Sequence, residues 1–229
     1  MIKTYSNLDI GTNFPVWTPV QDSDGVLYFG ADRLLRFDGE RWTKFSLPGP
    51  GARALRALEF GSDGRLWAGA NDEIGWFDRQ TDGRFHYHSI RNLLPPGTPD
   101  LGDVWNVFAE GAGASFVSRE KILRWDGEKI ESWDFPNPTR LAAYRVNGVV
   151  YFHHRPSGLY ALRKNGPELV IPSSALGDFG IMWLEARGDG FLFANSKGLF
   201  KFAGGRLEPF APAVADFLSR NILTCALRL

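Results

Sequence analysis

The chain has 229 residues, of which 44% are hydrophobic and 14% aromatic, and its 26 basic and 26 acidic side chains cancel. This composition predicts a globular protein rather than a disordered one, and the zero net charge argues against nucleic acid as a partner. No apolar run approaches the roughly 18 residues of a membrane helix, so we expect no direct membrane contact by this segment.

The first predicted unit, near residues 13–48, contains four short apolar segments separated by turn residues. The segments "VWTPVQD" and "VLYFGA" flank Asp24-Gly25, and "LLRFD" and "RWTKFSL" flank Gly39. Asp-Gly pairs favour hairpin turns that need positive φ, and the flanking segments are rich in strand-forming residues. The unit therefore predicts four antiparallel strands.

The same pattern recurs along the chain, and "LLRFDGERWTKF" returns almost unchanged in kind as "ILRWDGEKIESW". The further predicted units lie near residues 52–92, 101–136, 139–172 and 179–211. The first-turn glycines, about 35 to 50 residues apart, are Gly25, Gly64, Gly113, Gly148 and Gly190. Four-stranded repeats of this period are typical of a β-propeller, whose blades pack face to face.

We therefore predict an all-β fold, a β-propeller of about five four-stranded antiparallel blades plus the first strand of a sixth. The innermost strands are expected at Val16–Val20, Leu55–Phe60, Val104–Ala109, Leu141–Val146 and Ile181–Ala186. Tryptophans expected to pack between blades are Trp42, Trp67, Trp76, Trp125 and Trp133. Residues 212–229 are expected to form a linker helix, within Ala213–Arg220, and the sixth blade's first strand. Because a lone strand leaves an exposed edge, we expect a fragment of a larger, seven-bladed propeller; closure with five blades is the alternative.

The sequence resembles the two-component regulator propeller family. The resemblance rests on "YSNLDIGTNFPVWTPVQDSDGVLYFGADRLLRFDGERW", "LGDVWNVF", "ILRWDGEKIESW", "SKGLFKFAGG" and "ADFLSRNILTCALRL". The chain departs from the family pattern at Phe14, which precedes Pro15-Val16-Trp17, and at Asp78, which no glycine follows.

This resemblance implies a sensor region of a bacterial hybrid histidine kinase or a related signalling protein that feeds a phosphorelay. The full-length protein would carry more blades, a small immunoglobulin-like domain, a membrane helix and a cytoplasmic output domain. A periplasmic or extracytoplasmic location and a possible signalling homodimer are also implied, although residues 1–17 contain no apolar run of signal-peptide length.

The residues offer little for catalysis. No glycine-rich phosphate cradle or GxSxG elbow occurs, and Cys225, the single cysteine, lies in a terminal apolar segment and forms no internal disulfide. His86 and His88 share one strand face without a third metal ligand nearby; His153 and His154 point to opposite faces of one strand, and one of them is a candidate for the channel mouth. We expect no cofactor and no metal. For acid–base catalysis the carboxylates to consider are Asp32, Asp103 and Asp178.

A ligand site is predicted at one mouth of the channel, where loops between the second and third strands meet loops from the preceding blade. Tryptophan faces beside Asp, Asn and Arg suit a small polar molecule or an oligosaccharide fragment. The candidate residues are Trp17, Asp32, Arg33, Asn71, Asp103, Trp105, Arg119, Arg155, Trp183 and Asn195. The simpler interpretation is that the tryptophans fill the channel and the charges are solvated. Alternatives to a non-catalytic sensor are a propeller enzyme, such as a lyase or glycosidase, and a protein-interaction scaffold.

Overall fold

The computed structural model describes residues 4–48, 53–81, 83–136, 139, 141–177 and 180–221. Residues 1–134 and residues 135–229 form two compact units, each with more contacts within itself than with the other. The described residues of the two units form five four-stranded antiparallel sheets, which confirms the predicted all-β propeller blades.

The first unit contains a short helix and three sheets, each built in the order of its strands along the chain. The helix α1 is Asn7–Ile10, and a 3-10 turn covers Arg91–Leu93. The first blade consists of β1 Thr18–Gln21, β2 Leu27–Gly30, β3 Leu34–Phe37 and β4 Trp42–Phe45. The second consists of β5 Leu55–Phe60, β6 Leu66–Ala70, β7 Glu73–Arg79 and β8 Phe85–Ser89. The third consists of β9 Asn106–Glu110, β10 Gly113–Val117, β11 Lys121–Trp125 and β12 Ile130–Asp134.

The part of the second unit that the structure describes forms two sheets of the same construction. The fourth blade consists of β13 Ala142–Val146, β14 Val149–His154, β15 Gly158–Arg163 and β16 Gly166–Pro172. The fifth consists of β17 Trp183–Arg187, β18 Gly190–Asn195, β19 Gly198–Ala203 and β20 Arg206–Phe210. Helix α2 (Ser173–Leu176) links the two blades, and a 3-10 turn (Pro212–Val214) and helix α3 (Ala215–Arg220) follow the fifth.

The innermost strands lie where the repeat predicted them, to within about two residues at each end. Helix α3, preceded by the 3-10 turn, lies within the segment for which a linker helix is expected. The expected sixth-blade strand, Cys225 and Asp178 lie outside the described residues. Within the described part of the chain, no helix combines the length and apolar character needed to cross a bilayer.

The repeated Asp-Gly sequence forms the turn between the third and fourth strands. Asp38 Oδ1 accepts hydrogen bonds from the amides of Glu40 and Arg41 (3.1 and 2.9 Å), and Asp126 Oδ1 accepts two from the matching amides (2.9 Å each). The glycine after each aspartate has a positive φ, 100° and 108°. The repeated Asp-Gly pattern predicts an aspartate inside the two-residue turn between the third and fourth strands; in the structure the aspartate instead precedes the turn and accepts from its amides.

The hydrophobic cores form between sheets, because one flat blade cannot bury both of its faces. In the first unit, Trp67 of the second blade is fully buried; its ring centroid is 5.2 Å from that of Trp76 and 6.1 Å from that of Phe116 in the third blade. Trp125 is also buried, whereas Trp42, Trp76 and Trp133 are partly buried. In the second unit, Leu159, Ile171, Leu176, Ile181 and Phe193 belong to a corresponding core.

Candidate functional site

The predicted site residues of the first unit lie at the edge where the second strand of each blade turns into the third. The same edge receives the chain from the preceding blade, because Leu55 N donates to Ala31 O (2.7 Å) and Val104 N donates to Ala70 O (3.2 Å). Each innermost strand is thus attached at its start to the preceding blade's loop. This arrangement brings side chains from three blades close to one another.

Two of the predicted tryptophans meet at this edge around an arginine that the sequence analysis missed. The ring centroids of Trp17 and Trp105 are 5.9 Å apart at an interplanar angle of 85°. Arg56 Cζ lies 3.9 Å from the Trp17 centroid and 4.9 Å from the Trp105 centroid. Both distances fall within the range of cation–π attraction. We call Trp17, Arg56, Asn71, Asp103 and Trp105 the aromatic–arginine cluster.

A β-bulge accounts for the position of Arg56. In the β5–β6 ladder Leu55 pairs with Ala70 and Ala57 pairs with Gly69, which leaves Arg56 as the extra residue. A bulge locally breaks the alternation of side chains and redirects the extra one. The signal in the sequence was the arginine that interrupts the apolar residues at the start of the segment "ALRALEF".

Asp103 connects the arginine to the neighbouring loop. Arg56 Nη2 donates to Asp103 Oδ2 (3.0 Å), and Asn71 Nδ2 donates to Asp103 Oδ1 (3.2 Å). Asn71 and Asp103 also form an isolated antiparallel bridge. Three of the predicted residue positions, Asn71, Asp103 and Trp105, are therefore brought together with Trp17.

The guanidinium of Arg56 is incompletely satisfied. Its Nε and Nη1 atoms are buried and have no hydrogen-bond partner among the described residues, whereas Trp17, which covers it, is 43% exposed. Buried donors normally have partners, so such a group calls for a bound water or a ligand acceptor. The cluster therefore combines exposed aromatic surface with donors that lack an acceptor.

Asp32 and Arg33 form a second group in the first blade. Thr12 Oγ1 donates to Asp32 Oδ1 (2.8 Å), while Arg33 Nε and Nη2 donate to Oδ2 (2.8 and 2.5 Å). Burial tends to raise the pKa of Asp32, but the hydrogen bonds from Arg33 and Thr12 outweigh it and leave that pKa below its ordinary value. A cavity of about 400 Å³ beside them is also lined by Asn7 and Phe14.

Arg119 lies in the turn between β10 and β11. Its Nε is 3.9 Å from Glu120 Oε1, and both side chains are more than half exposed. At this exposure the pair contributes little to stability, so both charges face solvent.

The predicted residues of the second unit lie at the equivalent edge of the fourth and fifth blades. Asn195 is buried; its Oδ1 accepts from Lys197 N (2.7 Å), and its Nδ2 has no partner among the residues described. Trp183 begins β17 and is partly buried. Arg155 is exposed just after β14.

The histidines of β14 are both buried. His153 is 3% exposed and its Nδ1 accepts from Ile181 N (3.4 Å); burial, followed by the nearby Arg155 charge, lowers its pKa to about 4. His154 Nε2 lies 3.0 Å from Pro136 O and therefore donates to it, leaving Nδ1 to accept from Ser157 Oγ (2.5 Å). Both imidazoles thus have internal hydrogen-bond partners.

The remaining histidine pair lies on β8. The rings of His86 and His88 are 4.6 Å apart, and His88 also stacks on Trp76 at 5.0 Å with Asp78 Oδ2 3.0 Å from its Nε2. Among the residues that the structure describes, no three His, Cys, Asp or Glu side chains are grouped to hold a metal ion.

Comparison with known proteins identifies the fold but not a family. No protein-family model matches the chain. No curated protein sequence matches it. Solved structures of similar fold do exist, and three of them represent different functions.

The extracellular domain of the putative hybrid two-component system BT3049 from B. thetaiotaomicron is 17% identical, with a TM-score of 0.61 over 88% of this chain and 30% of that chain. A catalytically inactive virginiamycin B lyase from Staphylococcus aureus is 14% identical, with a TM-score of 0.61 over 87% of this chain and 70% of that one. PorZ, a surface component of the type-IX secretion system of Porphyromonas gingivalis, is 16% identical, with a TM-score of 0.65 over 97% of this chain and 38% of that one.

These similarities establish the propeller fold alone, because one fold hosts many functions. The presence of extracellular domains of putative hybrid two-component systems among the structural neighbours is consistent with the resemblance to the two-component regulator propeller family. The chain spans less than a third of the length of the two-component extracellular domains that it matches.

Proposed function

We propose that this chain is a non-catalytic, ligand-sensing propeller module of a bacterial signal-transduction receptor, located outside the cytoplasm. In this proposal it binds a small polar molecule, such as a glycan fragment, and relays binding through a receptor dimer to an output domain. The observation that carries the proposal is the aromatic–arginine cluster, in which partly exposed indole rings surround a guanidinium with unsatisfied donors.

The chemistry of the cluster suits a sugar. Indole rings offer flat apolar surface to the C–H face of a pyranose, while Arg56 donates hydrogen bonds and Asp103 and Asn71 present an acceptor and a donor. Trp17 rests on Arg56 and is exposed, so a small rotation of its side chain would open the guanidinium to a ligand oxygen. Binding would replace the missing acceptor and therefore favour the opened arrangement.

The described carboxylates at this edge suit binding better than acid–base catalysis. Asp103 is paired with Arg56, and Asp32 is paired with Arg33 and holds a lowered pKa. A general acid needs a raised pKa so that it carries a proton near neutral pH. These contacts support a sensor over the lyase or glycosidase alternative.

The test is a titration of the chain with a set of neutral and uronate-containing oligosaccharides, followed by tryptophan fluorescence and calorimetry. We expect at least one sugar to bind saturably and to change indole emission. Trp105→Ala and Arg56→Gln should each weaken that binding about tenfold or more.

Trp133→Ala is the matched control, because Trp133 also lies beneath an arginine, with Arg124 Cζ 5.2 Å from its centroid, but on an outer strand. It should leave sugar affinity unchanged. The proposal is wrong if none of the sugars binds, or if the Trp105 and Arg56 variants bind as tightly as the unmodified chain.

A further inference from the structure

A second cavity lies at the opposite edge of the first two blades. In an antiparallel sheet the turns joining strands one and two, and three and four, lie at the edge away from the loop joining strands two and three. Between these turns of the first and second blades is a cavity of about 400 Å³, which we call the turn-end cavity. Its size falls in the range of small-molecule sites.

One wall of the turn-end cavity is aromatic. The Tyr28 ring centroid lies 5.2 Å from that of Phe60 and 5.6 Å from that of Phe85, and all three residues line the cavity. Tyr28 is almost fully buried, whereas Phe60 and Phe85 are partly exposed. This wall offers apolar surface to a ligand from two different blades.

A fixed carboxylate faces this wall. Asp22 Oδ1 accepts from the amides of Asp24 (3.0 Å) and Val26 (2.9 Å), and its Oδ2 accepts from the Tyr28 hydroxyl (3.0 Å). Burial and the Asp22 hydrogen bond raise the pKa of Tyr28, so this hydroxyl stays protonated as a donor. All three donors to Asp22 are uncharged, and its negative charge is held in place without being neutralised by them.

The rim of the cavity carries a surplus of negative charge. Asp24 is 73% exposed and lies 3.8 Å from Arg79 Nη1, whose side chain is 51% exposed. An ion pair this long and this exposed is weak. Two carboxylates, Asp22 and Asp24, therefore line the cavity with the loosely held guanidinium of Arg79. Arg36, which also contacts the Tyr28 hydroxyl, is instead paired with Asp38 at 3.3 Å.

We propose that the turn-end cavity binds an organic cation, with its ammonium group at Asp22 and Asp24 and its apolar body against Tyr28, Phe60 and Phe85. The ammonium group would pair with the carboxylates, and the apolar body would pack against the aromatic wall. Such a ligand would therefore interact with both the charged and the apolar side of the cavity. Arg79 competes with the ligand for Asp24. The site is independent of the aromatic–arginine cluster, so either proposal can fail alone.

The probe is phenethylamine, compared with its uncharged analogue 2-phenylethanol, in two-dimensional NMR titrations of the chain. We expect saturable shifts of amides at residues 22–28 and 60–64 with phenethylamine, at a Kd of about 1 mM or tighter, and at least about fivefold weaker binding of 2-phenylethanol.

Variants separate the charge from the fold. Asp24→Asn should weaken phenethylamine about fivefold, and Asp22→Asn, which keeps the Oδ1 acceptor of the turn, about tenfold. Arg79→Gln should strengthen binding, because it removes the competing cation. Asp189→Asn changes an exposed aspartate in the turn between β17 and β18 of the fifth blade, which does not line the cavity, and should have no effect. Equal binding of the amine and the alcohol, no saturation by about 10 mM, or unchanged affinity in the Asp22 and Asp24 variants would each overturn the proposal.

Discussion

Arg56 Nη2 lies 3.0 Å from Asp103 Oδ2, and this contact joins the innermost strand of the second blade to the segment that leads into the third. The two residues are 47 positions apart in the chain. Their side chains are 15% and 25% exposed. The ion pair is therefore partly shielded from water, and both side chains remain accessible to a ligand.

Removal of Arg56 should destabilise the first unit. Arg56→Ala leaves the Asp103 carboxylate without its cation and removes the contacts with both tryptophans, so we expect a loss of about 1–2 kcal/mol in the free energy of unfolding, measured by urea denaturation. A double-mutant cycle with Asp103→Asn should show a coupling of about 0.5–1.5 kcal/mol. Arg220→Ala, which breaks the fully solvated pair with Asp216, is the control and should cost little. Additive effects of the Arg56 and Asp103 changes would contradict the contact.

Gly30 should not tolerate a side chain, because it lies against the next blade. A Cβ there would lie 2.5 Å from the backbone oxygen of Leu55, which cannot move without disturbing β5. Gly30→Ala should therefore lower stability by about 1–3 kcal/mol in the same denaturation experiment. Gly111→Asn is the comparison: its φ is 60°, asparagine tolerates that conformation, and nothing lies within 4 Å. If Gly30→Ala is as mild as Gly111→Asn, the blades are further apart than described.

The aspartates of the repeated turn, Asp38 and Asp126, should titrate at low pH. The amides of Arg41 and then Glu40 hold the pKa of Asp38 below its ordinary value, and those of Lys129 and Glu128 do the same for Asp126. A depressed carboxyl pKa stabilises the fold fully above the unfolded value near 3.8, and this stabilisation is lost as pH falls through the folded value. Carbon-detected NMR titration of the two carboxyls should show midpoints below 3.8, and Asp38→Asn should keep the turn while losing its titration. Midpoints at or above the ordinary value would contradict the turn geometry.

His153 should make the second unit sensitive to mild acid. Its folded pKa of about 4 lies below the ordinary 6.5, so the unfolded state binds the extra proton between these values and stability falls as pH decreases through that window. From pH 7 to pH 5 the loss should be about 2 kcal/mol. His153→Gln, whose side-chain oxygen can still accept from Ile181 N, should flatten this dependence in pH-resolved melts. Identical pH profiles for the His153 variant and the unmodified chain would show that the imidazole is solvated.

Local signals in the sequence were enough for the blades. Asp-Gly turns, alternating β-forming segments and a repeat of about 40 residues act over a few neighbouring residues, and the five sheets appear where these signals lie. Trp17, Asn71, Asp103 and Trp105 could be placed at one edge for the same reason, since the strand order of a blade decides which loops share an edge.

Arg56 could not be predicted in the same way, because a bulge moved it out of the alternation that pattern analysis assumes. Other features also depend on side chains that are far apart in sequence. Examples are the Arg56–Asp103 pair, the contact of His153 with Ile181 and the lining of the turn-end cavity. The sequence by itself determined the strands, the turns and the repeat, since these follow from local backbone preferences. Only the tertiary structure decided which side chains face each other between blades, because that depends on register and on how closely neighbouring sheets pack.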